Sequence, residues 1–217
     1  MINMRSQDIA DISGVEFHIV GCGAIGSSVA TQLTRLGADN FYLYDFDKVE
    51  IQNIGVSQYV DSDIGKPKVQ ALINHMKNIN QCIRVEGIVS KFKYYEGGKE
   101  GILILGLDSM AARMEVVENI AEQPKKPAFL IDGRMGAEHY QQYIYSNITM
   151  AKYKKNWYSD EDSDQEPCTR KATSYCSNMS GSFIANSTKN IVMKQPYFKE
   201  ISFNFSTLIL DKKKLIS

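Results

Sequence analysis

The sequence predicts an α/β fold: a Rossmann-like, mostly parallel sheet with helices on both faces, extended by antiparallel strands from the C-terminal part. Three observations predict it. An apolar strand runs into the glycine turn Gly21-Cys22-Gly23-Ala24-Ile25-Gly26, and a helical period follows it. Short apolar runs then alternate with helically spaced stretches as far as Asp132, the pattern of parallel strands covered on both faces. From about Tyr140 the period changes to two, in QQYIYSNI and later in ISFNFSTLIL, which suits antiparallel strands.

Taken in order, Glu16–Val20 reads as a buried strand closed by Gly21. Ile25, Val29, Leu33 and Leu36 share one helical face, and Gly37 stops that helix. Phe41–Tyr44 forms the second strand, closed by Asp45. Val69–Met76 is helical behind Pro67 and Lys68, Ile83–Val89 is a third strand, and Gly101–Leu107 (GILILGL) is a fully buried fourth. Met110–Ala121 follows as a helix capped by Ser109 or Asp108, and Ala128–Asp132 is the next strand. The acidic stretch SDEDSDQEP carries no apolar anchor and reads as an exposed, mobile crossing loop, with a helix over Cys168–Met193 behind it. No repeat and no second domain interrupts the pattern, so residues 1–217 read as one domain.

Composition excludes several classes. With 217 residues the chain can bury an adequate core. Its 25 basic and 25 acidic side chains cancel, which offers no field for nucleic acid or an anionic membrane. No apolar run reaches the roughly 20 residues of a membrane span. MINMRSQDIADISG lacks an apolar h-region, so no secretory leader is expected. Cys22, Cys82, Cys168 and Cys176 are scattered without a CxxC pair, which disfavours structural zinc and disulfides. The reading is a reduced cytoplasmic protein.

The chemistry lies at the carboxyl ends of the parallel strands. Gly21 permits the tight turn, Gly23 lets backbone approach phosphate, and Gly26 lets the helix pack on the strand, while Ala24 and Ile25 open a helix whose N–H groups and dipole favour an anion. The turn does not choose between NAD, FAD and ATP. Asp45, about 20 residues on, is placed to accept from ribose hydroxyls, and Asp47 either joins it or orients the loop. Asn53 and the cassette Asp63-Ile64-Gly65-Lys66-Pro67-Lys68 have no use in a dehydrogenase, whereas ATP cleavage needs donors and a cation along the triphosphate. Lys68 opens a helix, where its charge opposes the dipole unless an anion compensates. Asp108 closes a strand in the same crevice and is a candidate Mg²⁺ ligand, a helix cap, or both. Arg134, in Asp132-Gly133-Arg134, reaches the carboxylate or the phosphates, or forms a structural salt bridge. Cys168, beside Arg170 and Lys171, is a candidate thiolate nucleophile or a small buried hydrophobe; Cys22 and Cys176 read as packing.

Together these residues resemble the ubiquitin-activating-enzyme-like superfamily, the ThiF/MoeB/HesA family, from about Arg5 to Val192 and most densely over 17–68. The resemblance implies Mg-ATP-dependent adenylation of a carboxylate, typically the C-terminal glycine of a ubiquitin-like or sulfur-carrier protein, with a peptide or other acid as alternatives. It implies that Asp45 binds ribose, Asn53 and Lys68 contact the phosphates, and Asp108 holds the metal. It further implies that Arg5 reaches the partner's ATP in a homodimer and that Cys168 accepts the acyl group. Asp108 through Arg113, Asp132 through Met135 and Pro167-Cys168-Thr169 look like a bacterial and phage subgroup. Three departures stand out. Val56 occupies a position usually held by arginine, so Arg134 or, as an uncharged donor, Gln58 is expected to share its role. Paired CxxC zinc motifs are absent, and no carrier-binding extension or rhodanese-like domain is expected. The competing readings are a nucleotide-binding scaffold of the same fold and, last, an NAD-dependent oxidoreductase.

Overall fold

In the computed structural model, which describes residues 8–160 and 172–217, the apolar run before the glycine turn is β1 (Glu16–Val20), and α1 (Ala24–Leu36) follows it. The chain continues through β2 (Asn40–Tyr44), the single-turn α2 (Ile51–Ile54), α3 (Lys68–Ile79), β3 (Arg84–Ile88), β4 (Ile102–Leu105) and α4 (Met110–Glu122). Then come β5 (Phe129–Gly136), β6 (His139–Ser146), the short α5 (Met150–Tyr153), α6 (Ser174–Val192), β7 (Tyr197–Asn204) and β8 (Ile209–Ile216). All eight strands join one sheet in the order β3-β2-β1-β4-β5-β6-β7-β8. The first five are parallel, and β5 through β8 are antiparallel. The expected α/β sheet with a C-terminal antiparallel extension is therefore present.

Strand alternation divides the core into two layers. Phe17 and Ile19 of β1, with Phe41 and Leu43 of β2, face α1 and α3, and Ile131 of β5 joins α6 in the same layer. Val20, Leu103 and Leu105 turn to the other face, against Val116, Val117 and Ile120 of α4. Helices on both faces explain why the central strands read as unbroken apolar runs.

Several boundaries differ from the sequence reading. β5 does not stop at Asp132 but continues to Gly136, because Asp132 through Gly136 pair with His139 through Tyr143 across a two-residue hairpin whose Ala137 takes φ 50°. α6 begins at Ser174, not at Cys168: Ala172 makes an isolated bridge with Ala137, and Thr173 is extended. β8 is an exposed outer strand, and Lys214 within it adopts φ 58°, a left-handed kink. No helix among the described residues is long and apolar enough to cross a membrane.

Candidate active site

The sheet order reverses between β1 and β4, and there the carboxyl ends of β1, β2 and β4 open into a cavity of about 500 Å³. In open α/β sheets this switch point is where ligands bind. Gly21, Gly23, Ala24, Ile25, Asp45, Asp47, Asn53, Lys68 and Asp108 all line it, so the structure gathers most of the sequence-predicted residues into one cleft.

The glycine turn is dictated by sterics. Gly21 has φ 87°, and a Cβ there would lie 2.8 Å from the Gly106 carbonyl oxygen. At Gly26 a Cβ would fall 1.8 Å from the Gly21 oxygen, so α1 can cross β1 this closely only with glycine. A Cβ on Gly23 would meet no atom within 4 Å; that position opens on the cleft. No side chain caps α1, whose first N–H groups belong to cleft-lining residues.

Asp45 is 8 % exposed. Its Oδ2 accepts from the Cys22 N–H at 2.7 Å and its Oδ1 from the Asp47 N–H at 2.8 Å, so the carboxylate is anchored to the glycine turn. Burial raises its pKa above the ordinary aspartate value, against the lowering pull of those two bonds and of Lys68. Next, residues 47–49 pair with the cassette: Lys68 N–H donates to the Asp47 carbonyl, Val49 N–H to Lys66, and Gly65 N–H to Val49, each at 2.9 Å. This pairing brings Lys68 Nζ within 2.9 Å of Asp47 Oδ2. The anion that Lys68 needs at the start of α3 is thus an internal one. Burial presses the Lys68 pKa down, but Asp47, Asp45 and Asp108 outweigh it and raise the value.

Asn53 Oδ1 accepts from the Glu50 N–H at 2.8 Å, capping α2. Asp108 is exposed at the cleft and is not the cap of α4; Ser109 Oγ takes that role, accepting from Ala112 at 3.2 Å. Val56 lines the cleft as an apolar side chain.

Two predicted ligands stand elsewhere. Gln58 donates through Nε2 to Asn178 Oδ1 at 2.7 Å and is not among the cleft-lining residues. Arg134 lies inside β5 rather than at a strand end, 4 % exposed, bound to Asp132 at 2.9 and 2.7 Å and to the Asn156 carbonyl at 2.6 Å. Rings of Tyr143, Tyr153 and Tyr158 surround its guanidinium. Of the alternatives open for Arg134, the structural ion pair is the one this geometry fits. Arg5 and Cys168 lie outside the described residues. Cys22 and Cys176 are buried, and burial raises both thiol pKa values, that of Cys176 to about 11, in keeping with packing roles.

Sequence reasoning missed two features. Tyr44 and Phe92 stand edge to face, centroids 5.0 Å apart, and with Leu107 and Val116 give the cleft an apolar wall. Phe92 follows β3 in a segment with no motif to announce it. The second is Asp160, first acid of the acidic stretch: it accepts from the N–H groups of Met110 and Ala111 at 2.7 and 3.0 Å and from Ser109 Oγ at 3.1 Å. The preceding NWYS carried the signal, since Trp157 Nε1 donates to the Met110 carbonyl at 3.1 Å.

A doubly wound sheet with a glycine turn at its switch point, and carboxylates and a lysine at the adjoining strand ends, defines an α/β domain with a candidate nucleotide-binding cleft. The chain belongs to the ThiF family, whose model matches residues 1–209. Among curated relatives, ubiquitin-like modifier-activating enzyme 5 of Gallus gallus is 33% identical over 125 residues, covering 58% of this chain and 28% of that protein. The Caenorhabditis briggsae protein of the same name is 30% identical over 125 residues, covering 51% and 29%. The aligned region thus spans less than a third of these relatives. Among solved structures, Escherichia coli MccB with ATP superposes with a TM-score of 0.73 at 16% identity, covering 93% of this chain and 64% of that one. PaaA gives the same TM-score, identity and coverage. These structural likenesses establish the fold.

Proposed function

We propose that this domain is an ATP-dependent adenylyltransferase that activates a carboxylate as an acyl-adenylate. The observation that carries the reading is the convergence of Asp45, Asp47, Lys68 and Asp108 on one cleft above the glycine turn. The turn and the start of α1 take phosphate, Asp45 accepts from the ribose hydroxyls, and the apolar wall of Tyr44 and Phe92 receives the base. Asn53, through its amide N–H groups, and Lys68 contact the phosphates; Lys68 leaves Asp47 for them. The substrate carboxylate attacks the α-phosphorus in line, the bond to the α–β bridging oxygen breaks, and pyrophosphate departs with that electron pair. Positioning and charge neutralisation supply most of the rate.

The donor set fits Mg²⁺. Asp108 offers a hard carboxylate at the cleft, and phosphates and water would complete the shell of an ion held there. When bound, the ion supplies charge neutralisation on the phosphates. The modifier-activating relatives favour a ubiquitin-like protein as substrate, and the family resemblance adds its C-terminal carboxylate and, as an alternative, a sulfur-carrier protein. MccB, of the same fold, is solved with ATP and also with MccA, in keeping with a fold that takes a nucleotide and a second partner. The reading includes a cytoplasmic homodimer in which Arg5 reaches the partner's nucleotide, and attack of the Cys168 thiolate on the acyl-adenylate carbonyl, which forms a thioester as the acyl–phosphate bond breaks and AMP leaves.

Carboxylate-dependent ATP–pyrophosphate exchange tests the proposal, with Lys68→Ala and Asp108→Ala as controls. Exchange in the wild type that both substitutions abolish is the expected result; robust exchange surviving both sinks the assignment. Val56 at the cleft favours one other reading, a nucleotide-binding scaffold. Tight ATP binding without exchange on any carboxylate would select it.

A further inference from the structure

Asp108 sits on a loop held from both sides by carboxylates that do not line the cleft. On one side Asp132, wholly buried in β5, accepts from Arg113, and Arg113 also donates to the Leu107 carbonyl, immediately before Asp108. On the other side Asp160 accepts from Ser109, Met110 and Ala111, the three residues immediately after it. The segment carrying Asp160 is tied back in turn, because Arg134 donates to the Asn156 carbonyl at 2.6 Å and to Asp132. These bonds close a circuit that runs from Asp132 through Arg113 to Leu107, across Asp108 to Ser109–Ala111, through Asp160 back to Asn156, and by Arg134 to Asp132 again.

Ser109 caps α4 through the Ala112 N–H, and Asp160 takes the Met110 and Ala111 N–H groups from outside the helix, so the loop between Leu107 and Ala111 is fixed at each end. Arg113 divides its fork between Asp132 and the Leu107 carbonyl, and Arg134 gives two bonds to Asp132 and one to the Asn156 carbonyl, a geometry that fixes chain direction as well as charge. Asp108 is exposed and belongs to no helix or strand, so the direction of its carboxylate depends on the residues flanking it.

We propose that Asp132 and Asp160 are positioning residues for Asp108: the circuit aims its carboxylate at the metal on the nucleotide's phosphates. The proposal rests on the Mg-ATP reading of the cleft. It predicts that loosening the circuit weakens metal-dependent nucleotide binding while sparing metal-free binding.

The test uses the full chain and a fluorescent, non-hydrolysable ATP analogue, titrated with Mg²⁺. Asp160→Ala should raise the Mg²⁺ midpoint about tenfold, the usual cost of losing an outer-shell partner, with metal-free affinity near wild type and a melting temperature lowered only as far as a lost helix cap lowers it. Asp160→Asn, which keeps a carbonyl acceptor, should recover part of the shift. Arg113→Lys keeps the charge pair with Asp132 but cannot also reach Leu107, and should shift the midpoint the same way without leaving a buried charge unpaired. Hydrogen exchange reads the brace independently of nucleotide: Met110 and Ala111 amides should lose protection in Asp160→Ala while Val117 and Ile120 keep theirs. An unchanged Mg²⁺ midpoint in Asp160→Ala and Arg113→Lys overturns the proposal alone, as does an equal loss of metal-free and metal-dependent affinity. A wild-type protein whose nucleotide affinity is indifferent to Mg²⁺ overturns the reading of the cleft, and the proposal with it.

Discussion

The protein holds two clusters of opposite charge that sit on adjoining strands and behave differently. At the cleft one ammonium, Lys68, faces Asp45, Asp47 and Asp108, and Asp47 is half exposed. In β5 and α4 two guanidiniums, Arg113 and Arg134, share the buried carboxylate of Asp132, with Tyr153 donating to it at 3.0 Å. Burial opposes the ionised form of Asp132, yet Arg134 and Arg113 hold its pKa below the ordinary value, whereas burial prevails at Asp45 and raises it. The closed cluster matches its two guanidiniums with Asp132 and with Asp160, whose carboxylate Arg113 also attracts; the open one carries surplus anionic character and room for more ligands. Matched charge makes structure, and unmatched charge at a cavity makes a site.

The largest expected effect separates the two at once. Asp132→Ala leaves two buried guanidiniums without their carboxylate and should cost about 3–5 kcal/mol of stability, read by urea unfolding. Lys68→Ala should do the reverse: pyrophosphate exchange falls about 10²–10³-fold, on the scale of removing one charge-stabilising donor, while the urea midpoint stays close to wild type. If Lys68→Ala unfolds the protein as Asp132→Ala does, the contrast fails.

Asp45→Asn should weaken nucleotide binding roughly tenfold, from hydrogen bonds to a charged group worth about 1.5–3 kcal/mol. The same change should erase the wild type's preference for ATP over 2′-deoxy-ATP in a competition titration. A pH series sharpens this. Because the folded pKa of Asp45 is raised, its carboxylate protonates at higher pH than an ordinary aspartate, and nucleotide affinity should fall on acidification before exposed carboxylates titrate. The linked stability change has the opposite sign, since a folded state that binds this proton more readily gains stability as pH falls. Loss of binding should therefore come without unfolding traceable to Asp45, and Asp45→Asn should flatten the profile. The smallest effect belongs to Lys66, paired at 3.0 Å with Asp63 on the surface: Lys66→Ala should change stability by less than about 1 kcal/mol.

The first half of the fold was legible because its signals are local. β1, the glycine turn and α1 are set by contiguous apolar period and by steric demands at Gly21 and Gly26. The cleft residues from Asp45 to Lys68 were legible for the same reason, each lying within a few positions of a strand end or helix start. What escaped depends on distant pairing. Nothing near Asp132 announces that β5 continues to Gly136; the ladder with β6 decides it. Arg134 looked available because its partners at Asn156 and Tyr143 are remote or on the next strand. Asp160 was read as solvated charge because the helix it serves starts 50 positions earlier. The start of α6 was set too early because Pro167 suggested a helix boundary, whereas Ala172 is drawn into a bridge with Ala137.

The outer strand β8 bears on how copies of this protein meet. It presents Ile209, Leu210 and Leu215 to solvent at the end of the sheet, with Leu208 exposed in the turn before it, the kind of edge that templates stacking into aggregates. The molecule's zero net charge supplies no general repulsion against that outcome. Lys212, Lys213 and Lys214 place positive charge on this strand, and the kink at Lys214 spoils the flat register a neighbour's strand would need. Colloidal stability is thereby delegated to three residues of one strand, and replacing them with threonine should turn a dispersed protein into one that precipitates in proportion to its concentration.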